Sequence, residues 1–176
     1  MDGEQPDQPD ASFDAVLSRL GLIYFPDRAG ALQGVRRVLR SGGCVVLAGF
    51  TTPDRNRFFS IPISIIRRRA NLPAPASGLP GPFSLGAPGV MEGALKDAGF
   101  KDVQTRKVQP PLELQSAAEC ARFEQESFGA LQQMLAALPA ADQAAAWDEI
   151  EHELRAFEAG GRFEAPTELI VGAGTK

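Results

Sequence analysis

Apolar positions fall into short runs and helical stripes along this chain. Phe13-Asp14-Ala15-Val16-Leu17-Ser18 is short and apolar, which predicts a buried strand. Beyond Asp27, the residues Leu32, Val35, Val38 and Leu39 recur at helical spacing and define one stripe. Asp27 sits at the N-cap of that helix, where a carboxylate accepts from free amides of the first turn. Arg36, Arg37 and Arg40 crowd its end, opposing the negative end of the dipole, and Ser41-Gly42-Gly43 supplies a stop. Cys44-Val45-Val46-Leu47-Ala48-Gly49-Phe50 does not alternate, so it predicts a strand covered on both faces, as in a parallel sheet. Strand, helix and strand make a βαβ unit with a right-handed crossover.

The next stretch, Thr51 to Ala87, is rich in Pro53, Pro62, Pro73, Pro75, Pro80 and Pro82, with Gly78, Gly81 and Gly86. Only Phe58 to Ile66 is apolar, and it predicts a helical turn or two after Pro62 within long irregular chain. Such loops are lids, binding loops or unstructured segments. Val90, Met91, Ala94, Leu95 and Ala98 form a further helical stripe ended by Gly99, and Asp102 to Val108 reads as a strand. Ser116-Ala117-Ala118-Glu119 matches a capping box, opening one helix through Cys120, Phe123, Leu131, Met134 and Leu135, whose stripe slips near Phe128. Pro139 breaks it. A second helix carries Trp147, Ile150, Leu154 and Phe157 and ends at Gly160-Gly161, and Thr167 to Val171 is a closing strand. Trp147 and Phe157 are expected in the core, as are both cysteines. No internal repeat is evident.

Composition narrows the function. The chain has 176 residues, 44% hydrophobic and 23% charged, which suits one globular domain or one with a small appendage. A net charge of -4 and a pI near 5.1 argue against nucleic-acid binding through bulk charge. No apolar run approaches the ~20 residues of a membrane span, and the acidic stretch Met1 to Asp10 is no secretory signal. Cys44 and Cys120 make no disulfide framework, and the single His152 leaves too few soft ligands for zinc, so no metal is expected. His152 lies among Glu149, Glu151 and Glu153, which suits a surface histidine. The default compartment is a reducing cytoplasm.

A doubly wound sheet binds its ligand at the carboxyl ends of its strands. This chain opens on what reads as a late strand. It has no glycine-rich strand-to-helix turn near its start and no GxxxxGK[ST] sequence, and Gly172-Ala173-Gly174 has no helix behind it. A dinucleotide-dependent dehydrogenase therefore lacks its fingerprint. A half-covered parallel sheet would expose a large apolar patch, which implies further strands on the N-terminal side.

Asp2-Gly3-Glu4, Pro9-Asp10-Ala11-Ser12-Phe13-Asp14-Ala15-Val16 and Arg37-Val38-Leu39-Arg40-Ser41-Gly42-Gly43 resemble class I S-adenosylmethionine-dependent methyltransferases, in the type 11 group that includes ubiquinone- and menaquinone-biosynthesis-like methylases. Ala94-Leu95-Lys96-Asp97-Ala98-Gly99-Phe100 with Asp102-Val103, Pro82-Phe83-Ser84-Leu85 and the tail from Gly161 to Lys176 also fit. The resemblance implies an α/β fold: the C-terminal half of a doubly wound Rossmann-like sheet, its last four strands mixed and the final one antiparallel. It implies one partial domain over 1–176, with a lid or insertion at 51–87 and a helical pair at 116–159. The family's first two strands and its glycine-rich cofactor turn have no counterpart here. Met1 would fall at the end of the family's third strand, as an internal methionine of a longer frame or as the start of a truncated chain.

The implied cofactor is S-adenosylmethionine. Asp2 matches the acid that accepts from the adenine amino group, and Gly3 and Glu4 match adjoining backbone contacts; a solvated terminal aspartate is the alternative. Ser18 and Arg19 match the turn after the family's fourth strand, near the sulfonium. No general base is identified. The acceptor could be a small molecule, a quinone or a lipid; Phe58 to Ile66, followed by Arg67-Arg68-Arg69, could form a lid over an apolar one, touch a membrane surface or pack on its own sheet. Two functions remain open: methyl transfer, impaired by the absent cofactor loop, or a non-catalytic module that pairs its open edge with a partner or its own copy.

Overall fold

The computed structural model describes residues 2–74 and 78–176. Met1 and Pro75, both named above, lie outside the described residues. Two compact units divide the chain: Met1–Thr52, Ser77–Gln109 and Glu168–Lys176 form the first, and Pro53–Ala76 with Pro110–Thr167 the second.

The first unit is a four-stranded sheet with helices. Its elements are β1 (Phe13–Arg19), α1 (Arg28–Val38), β2 (Leu39–Phe50), α3 (Val90–Asp97), β3 (Lys101–Val108) and β7 (Leu169–Thr175). Strand order is β1-β2-β7-β3, with β1 and β2 parallel and β7 antiparallel to both β2 and β3. The fold is thus α/β with a mixed sheet and an antiparallel last strand, as expected. Asp27 caps α1 as read, its Oδ1 accepting from Gly30 N at 2.9 Å.

Two features differ. α1 stops at Val38, before the glycines, because Leu39 is already extended (φ -72°, ψ 142°) and fully buried in β2. Gly42, expected to end a helix, sits inside β2 at φ +79°. Nor is β2 covered on both faces. Val45, Leu47 and Gly49 are buried, with Gly174, Gly172 and Ile170 beside them in register. A Cβ on Gly49 would lie 3.6 Å from Met91 Cε, and one on Gly172 would lie 2.7 Å from Met91 Sδ, so α3 packs directly on this face. The opposite face carries exposed Cys44 and half-buried Val46, Ala48, Val171 and Ala173. Cys44, expected in the core, is exposed because its register position falls on that bare side.

Gly86 marks a tight crossing. Its Cβ would stand 2.2 Å from the carbonyl oxygen of Thr51, a backbone atom with no rotamer to yield. Gly86→Ala is expected to lower stability by about 1–3 kcal/mol, read as a lower denaturation midpoint at unchanged slope.

The second unit contains α2 (Arg57–Arg69), β4 (Leu112–Leu114), α4 (Ala117–Ser127), α5 (Gly129–Leu135), α6 (Ala140–Leu154), β5 (Glu158–Ala159) and β6 (Arg162–Ala165). α2 runs thirteen residues, far beyond the turn or two expected, with Pro62 in its interior. Burial of Phe58, Phe59, Ile61, Ile65 and Ile66 outweighs the roughly 3 kcal/mol that an interior proline costs. Its arginine end is tied to α6, where Glu149 accepts from Arg69 Nε at 2.6 Å and from Arg68. These arginines hold the Glu149 carboxyl below its usual range.

The stripe slip near Phe128 is a helix boundary: Phe128 ends α4 and precedes α5, its ring tilted by 36° against Phe59 at 4.4 Å between centroids. The capping box forms with a shift of one residue. Ser116 Oγ accepts from Glu119 N at 3.1 Å, while Glu119 Oε2 accepts from Gln115 N at 2.7 Å. Gly160 and Gly161, at φ +60° and +78°, do not end a helix. They form the two-residue turn of the β5–β6 hairpin, whose backbone twist requires positive φ at both positions. The small sheet β4-β6-β5 has no strong signal in the sequence. Trp147 and Phe157 are half-buried rather than core, and His152 is exposed.

Candidate functional site

At the carboxyl end of β1 the chain turns through Leu20, at φ +60°, into a short 3-10 turn over Leu22–Tyr24. Ser18 Oγ accepts from Leu22 N at 3.2 Å, fixing the start of that turn. The loop over residues 2–8 runs beside it. Asp2 Oδ1 accepts from Glu4 N at 2.9 Å, an Asx-type turn, and Glu4 Oε1 accepts from Asp27 N at 3.0 Å. The loop is therefore anchored to the start of α1. Gly3 lies against the Phe25 ring, where a Cβ would approach Cζ to 2.6 Å.

Between loop and strand lies a cavity of about 360 Å³ lined by Asp2, Gly3, Ser18 and apolar side chains including Leu22, Phe25 and Val35. The structure brings Asp2, Gly3 and Ser18 onto one cavity. Glu4 and Arg19 do not line it: Glu4 acts from behind by holding the loop on α1, and Arg19 is an exposed charge at the strand end. A larger groove of about 540 Å³ lies between α1 and α3 and contains none of the five residues.

Chemically, the cavity joins one carboxylate to apolar walls, a set that fits a flat heterocycle bearing an amino donor at its edge. The described residues therefore fit the adenosine end of the implied cofactor.

The segment over residues 81–84 is strapped across the 3-10 turn. Gly81 N and Ser84 Oγ both donate to Ile23 O, at 2.8 and 3.0 Å, and Arg28 Nη1 donates to Ser84 O at 3.0 Å. Nothing in the residue pattern points to these backbone-directed bonds. The carboxyl end of β2 carries another polar cluster that sequence reasoning missed. Glu168 is buried, its Oε2 accepts from Gln109 Nε2 at 2.9 Å, and its Oε1 is 3.0 Å from Lys107 Nζ. The hydrogen bond from Gln109, with Lys107 and Thr51, holds its carboxyl down near about 2. Its backbone carbonyl accepts from both Thr51 N and Thr51 Oγ1 at 3.0 Å. Glu168 ties together the ends of β2 and β3 and the start of β7, and so holds the sheet's carboxyl edge in shape.

Among the described residues, no group of three or more His, Cys, Asp or Glu side chains could hold a metal ion, and no helix is long and apolar enough to cross a membrane.

A family model described as "Methyltransferase domain" matches residues 1–47. The nocamycin O-methyltransferase of Saccharothrix syringae is 28% identical over 182 residues, covering 97% of this chain and 64% of that protein. This chain thus spans less than two thirds of that relative's length. A solved structure from Bacillus halodurans C-125, described as a methyltransferase, superposes with a TM-score of 0.57 at 17% identity, covering 100% of this chain and 75% of that one. The YcgJ protein of Bacillus subtilis gives 0.53 at 17% identity, covering 99% and 68%. Both structures share its fold. The family match falls on the loop and strand that line the cavity, and the chain is similar in sequence to a methyltransferase and shares the fold of these solved structures.

Proposed function

We propose that this chain takes part in methyl transfer from S-adenosylmethionine to a small or lipophilic acceptor, holding the adenosine end of the donor in the cavity beside β1. The observation that carries the reading is the convergence of Asp2, Gly3 and Ser18 on that one cavity. Asp2 accepts from the exocyclic amino group of adenine. Gly3, lacking a side chain, lets a ring approach the backbone beside Phe25. Ser18 keeps the turn after β1 in place.

Bound S-adenosylmethionine supplies an electrophilic methyl group on a sulfonium. The protein's part is to align acceptor and donor and to exclude water, and alignment of this kind can supply ~7–11 kcal/mol. The relative's name points to an oxygen acceptor, and we extend this to a hydroxyl-bearing acceptor here. A hydroxyl must lose its proton at transfer. Glu168, held ionised down to about pH 2, is a poor base near neutrality, and no general base is assigned. A reducing cytoplasm remains the proposed compartment.

Asp2→Ala is expected to weaken S-adenosylhomocysteine binding about tenfold, or roughly 1.4 kcal/mol, with Asp2→Asn in between. Equilibrium dialysis checks this. Unchanged affinity in Asp2→Ala would remove the adenine contact from the reading. A second reading, a non-catalytic association module, including a homodimer, draws its support from the position of β1 at the edge of its sheet, where a strand edge can pair with a partner.

A further inference from the structure

The stretch over residues 22–28, just past the carboxyl end of β1, is held from two directions. Leu22 and Phe25 are walls of the cavity beside β1. Asp27 N donates to Glu4 Oε1 and so holds the loop that carries Asp2 and Gly3. The remaining polar groups face the segment over residues 78–84. Ile23 O accepts from Gly81 N at 2.8 Å and from Ser84 Oγ at 3.0 Å. Arg28 spans the same segment, its Nη1 donating to Ser84 O at 3.0 Å and its Nη2 to Gly78 O at 3.2 Å. Ser84 N donates to Gly81 O at 3.1 Å, which closes the tip of the segment into a turn. The Ile23 side chain is fully buried, and a Cβ on Gly49 would lie 3.2 Å from its Cγ2, so it packs on β2. The 3-10 turn is thus fixed by the Ile23 side chain on β2 and by the Ile23 carbonyl on the segment. All of these residues belong to the first unit.

The segment is lightly held. Residues 78–84 are exposed or half-buried, and Leu79 is 56% exposed. Beyond the bonds to Ile23 and Arg28, Phe83 adds a tilted ring contact with Phe50 at 6.3 Å. Chain held by a few solvent-accessible hydrogen bonds opens locally at low cost. We propose that residues 78–84 form a latch on the cavity beside β1, and that Arg28 and Ser84 are positioning residues that set donor affinity through the turn carrying Leu22 and Phe25. The proposal rests on the reading of that cavity as the adenosine site. Neither Arg28 nor Ser84 lines the cavity, so their effect on binding passes through the turn. A closed latch fixes the Ile23 carbonyl and, with it, the wall residues on either side. An open latch frees both. A ligand seated against Leu22 and Phe25 favours the fixed turn and therefore the closed latch. The coupling is reciprocal: the factor that closure adds to affinity is the factor that the ligand adds to closure.

Tyr24 reports on the turn directly. It is the chain's single tyrosine, and its backbone N donates to Gly21 O at 3.0 Å within the turn. Isotopic labelling of tyrosine alone in the full chain therefore gives a single backbone amide signal. The probe ligand is S-adenosylhomocysteine. In the wild type, saturation is expected to slow hydrogen exchange at Gly81 N by about tenfold, and the double variant Arg28→Ala, Ser84→Ala is expected to bind the probe about tenfold more weakly in equilibrium dialysis. Ser84→Thr keeps the hydroxyl and is expected to bind like the wild type, whereas Arg28→Lys, a point charge that cannot span two carbonyls, is expected to bind more weakly. The Tyr24 signal of the free double variant is displaced from its wild-type position and returns toward it on saturation. A merely structural role would lower the denaturation midpoint without linking exchange at Gly81 to the ligand. A wild type that binds the probe with exchange at Gly81 unchanged, or a double variant that binds it equally well, overturns the latch alone. A wild type with no affinity for the probe overturns the adenosine reading and the latch together. If the double variant does not fold, exchange at Gly81 in the wild type decides.

Discussion

Glu124→Met is expected to stabilise the second unit by about 2–3 kcal/mol at pH 7 to 8, roughly 4–12 °C in melting temperature. Glu124 lies on α4 with no exposed surface, and neither carboxylate oxygen has a hydrogen-bond partner. Burial pushes its carboxyl up to about 9 from an ordinary 4.5. The native state therefore keeps a proton that the unfolded chain releases. The contribution of Glu124 to stability is most favourable below about 4.5, falls as pH rises through the interval, and levels off above about 9. At pH 7 the linked cost is about 3 kcal/mol. Methionine has similar length, no charge and no unmet acceptor, so it removes the penalty and fills the space. One turn earlier, Cys120 is buried and raised to about 12 by that burial and by Glu124 and Glu119, so it stays a thiol throughout. The check is chemical denaturation at several pH values. The wild-type free energy should decline from pH 5 to 9, and the Glu124→Met curve should be flatter. Parallel curves would contradict the assignment.

Glu168→Ala is expected to act in the opposite direction, with a loss of about 2–3 kcal/mol at neutral pH. The substitution leaves Gln109 without its carboxylate acceptor, whereas half-exposed Lys107 returns to water at little cost. The sign of the pH dependence follows from the lowered carboxyl. Its stabilisation is fully present above the unfolded value of about 4.5 and is lost as pH falls toward about 2. Glu168→Gln should keep the packing, lose the ion pair and show a shallower acid transition between those limits. Acid unfolding followed by circular dichroism tests this. A Glu168→Gln profile identical to wild type would show that the charge contributes nothing.

How much of this was legible in the residues differs from element to element. Asp27, the stripe over Leu32, Val35 and Val38, and Gly99 marked α1 and α3 because local chemistry decides helix ends. The mixed sheet with its antiparallel last strand was implied by the resemblance to methyltransferases carried by the segments around Asp2, Phe13 to Val16 and Arg37 to Gly43. α2 was missed because Pro62 is a local penalty, and the packing that overrides it comes from distant residues on α5 and α6. The small sheet was missed because β4 and β5 are three and two residues long, too short for a period to show. Cys44–Phe50 reads as apolar throughout, and only the placement of β7 and α3 decides which face is covered.

The five candidate residues divide similarly. Asp2, Gly3 and Ser18 meet at one cavity because a turn and an anchored loop converge on it. Glu4 holds the loop and Arg19 points elsewhere, a distinction that depends on side-chain direction. Glu124 occupies an ordinary i+4 position after Cys120, and nothing in its neighbours signals complete burial.

Calorimetric titration of the unmodified chain with S-adenosylhomocysteine, 5′-methylthioadenosine and methionine tests adenosine capture most directly. The two adenosine-bearing ligands should bind with similar affinity, and methionine alone should give no heat. Absence of heat from both adenosine compounds, or binding that needs the methionine portion and ignores the base, would contradict it.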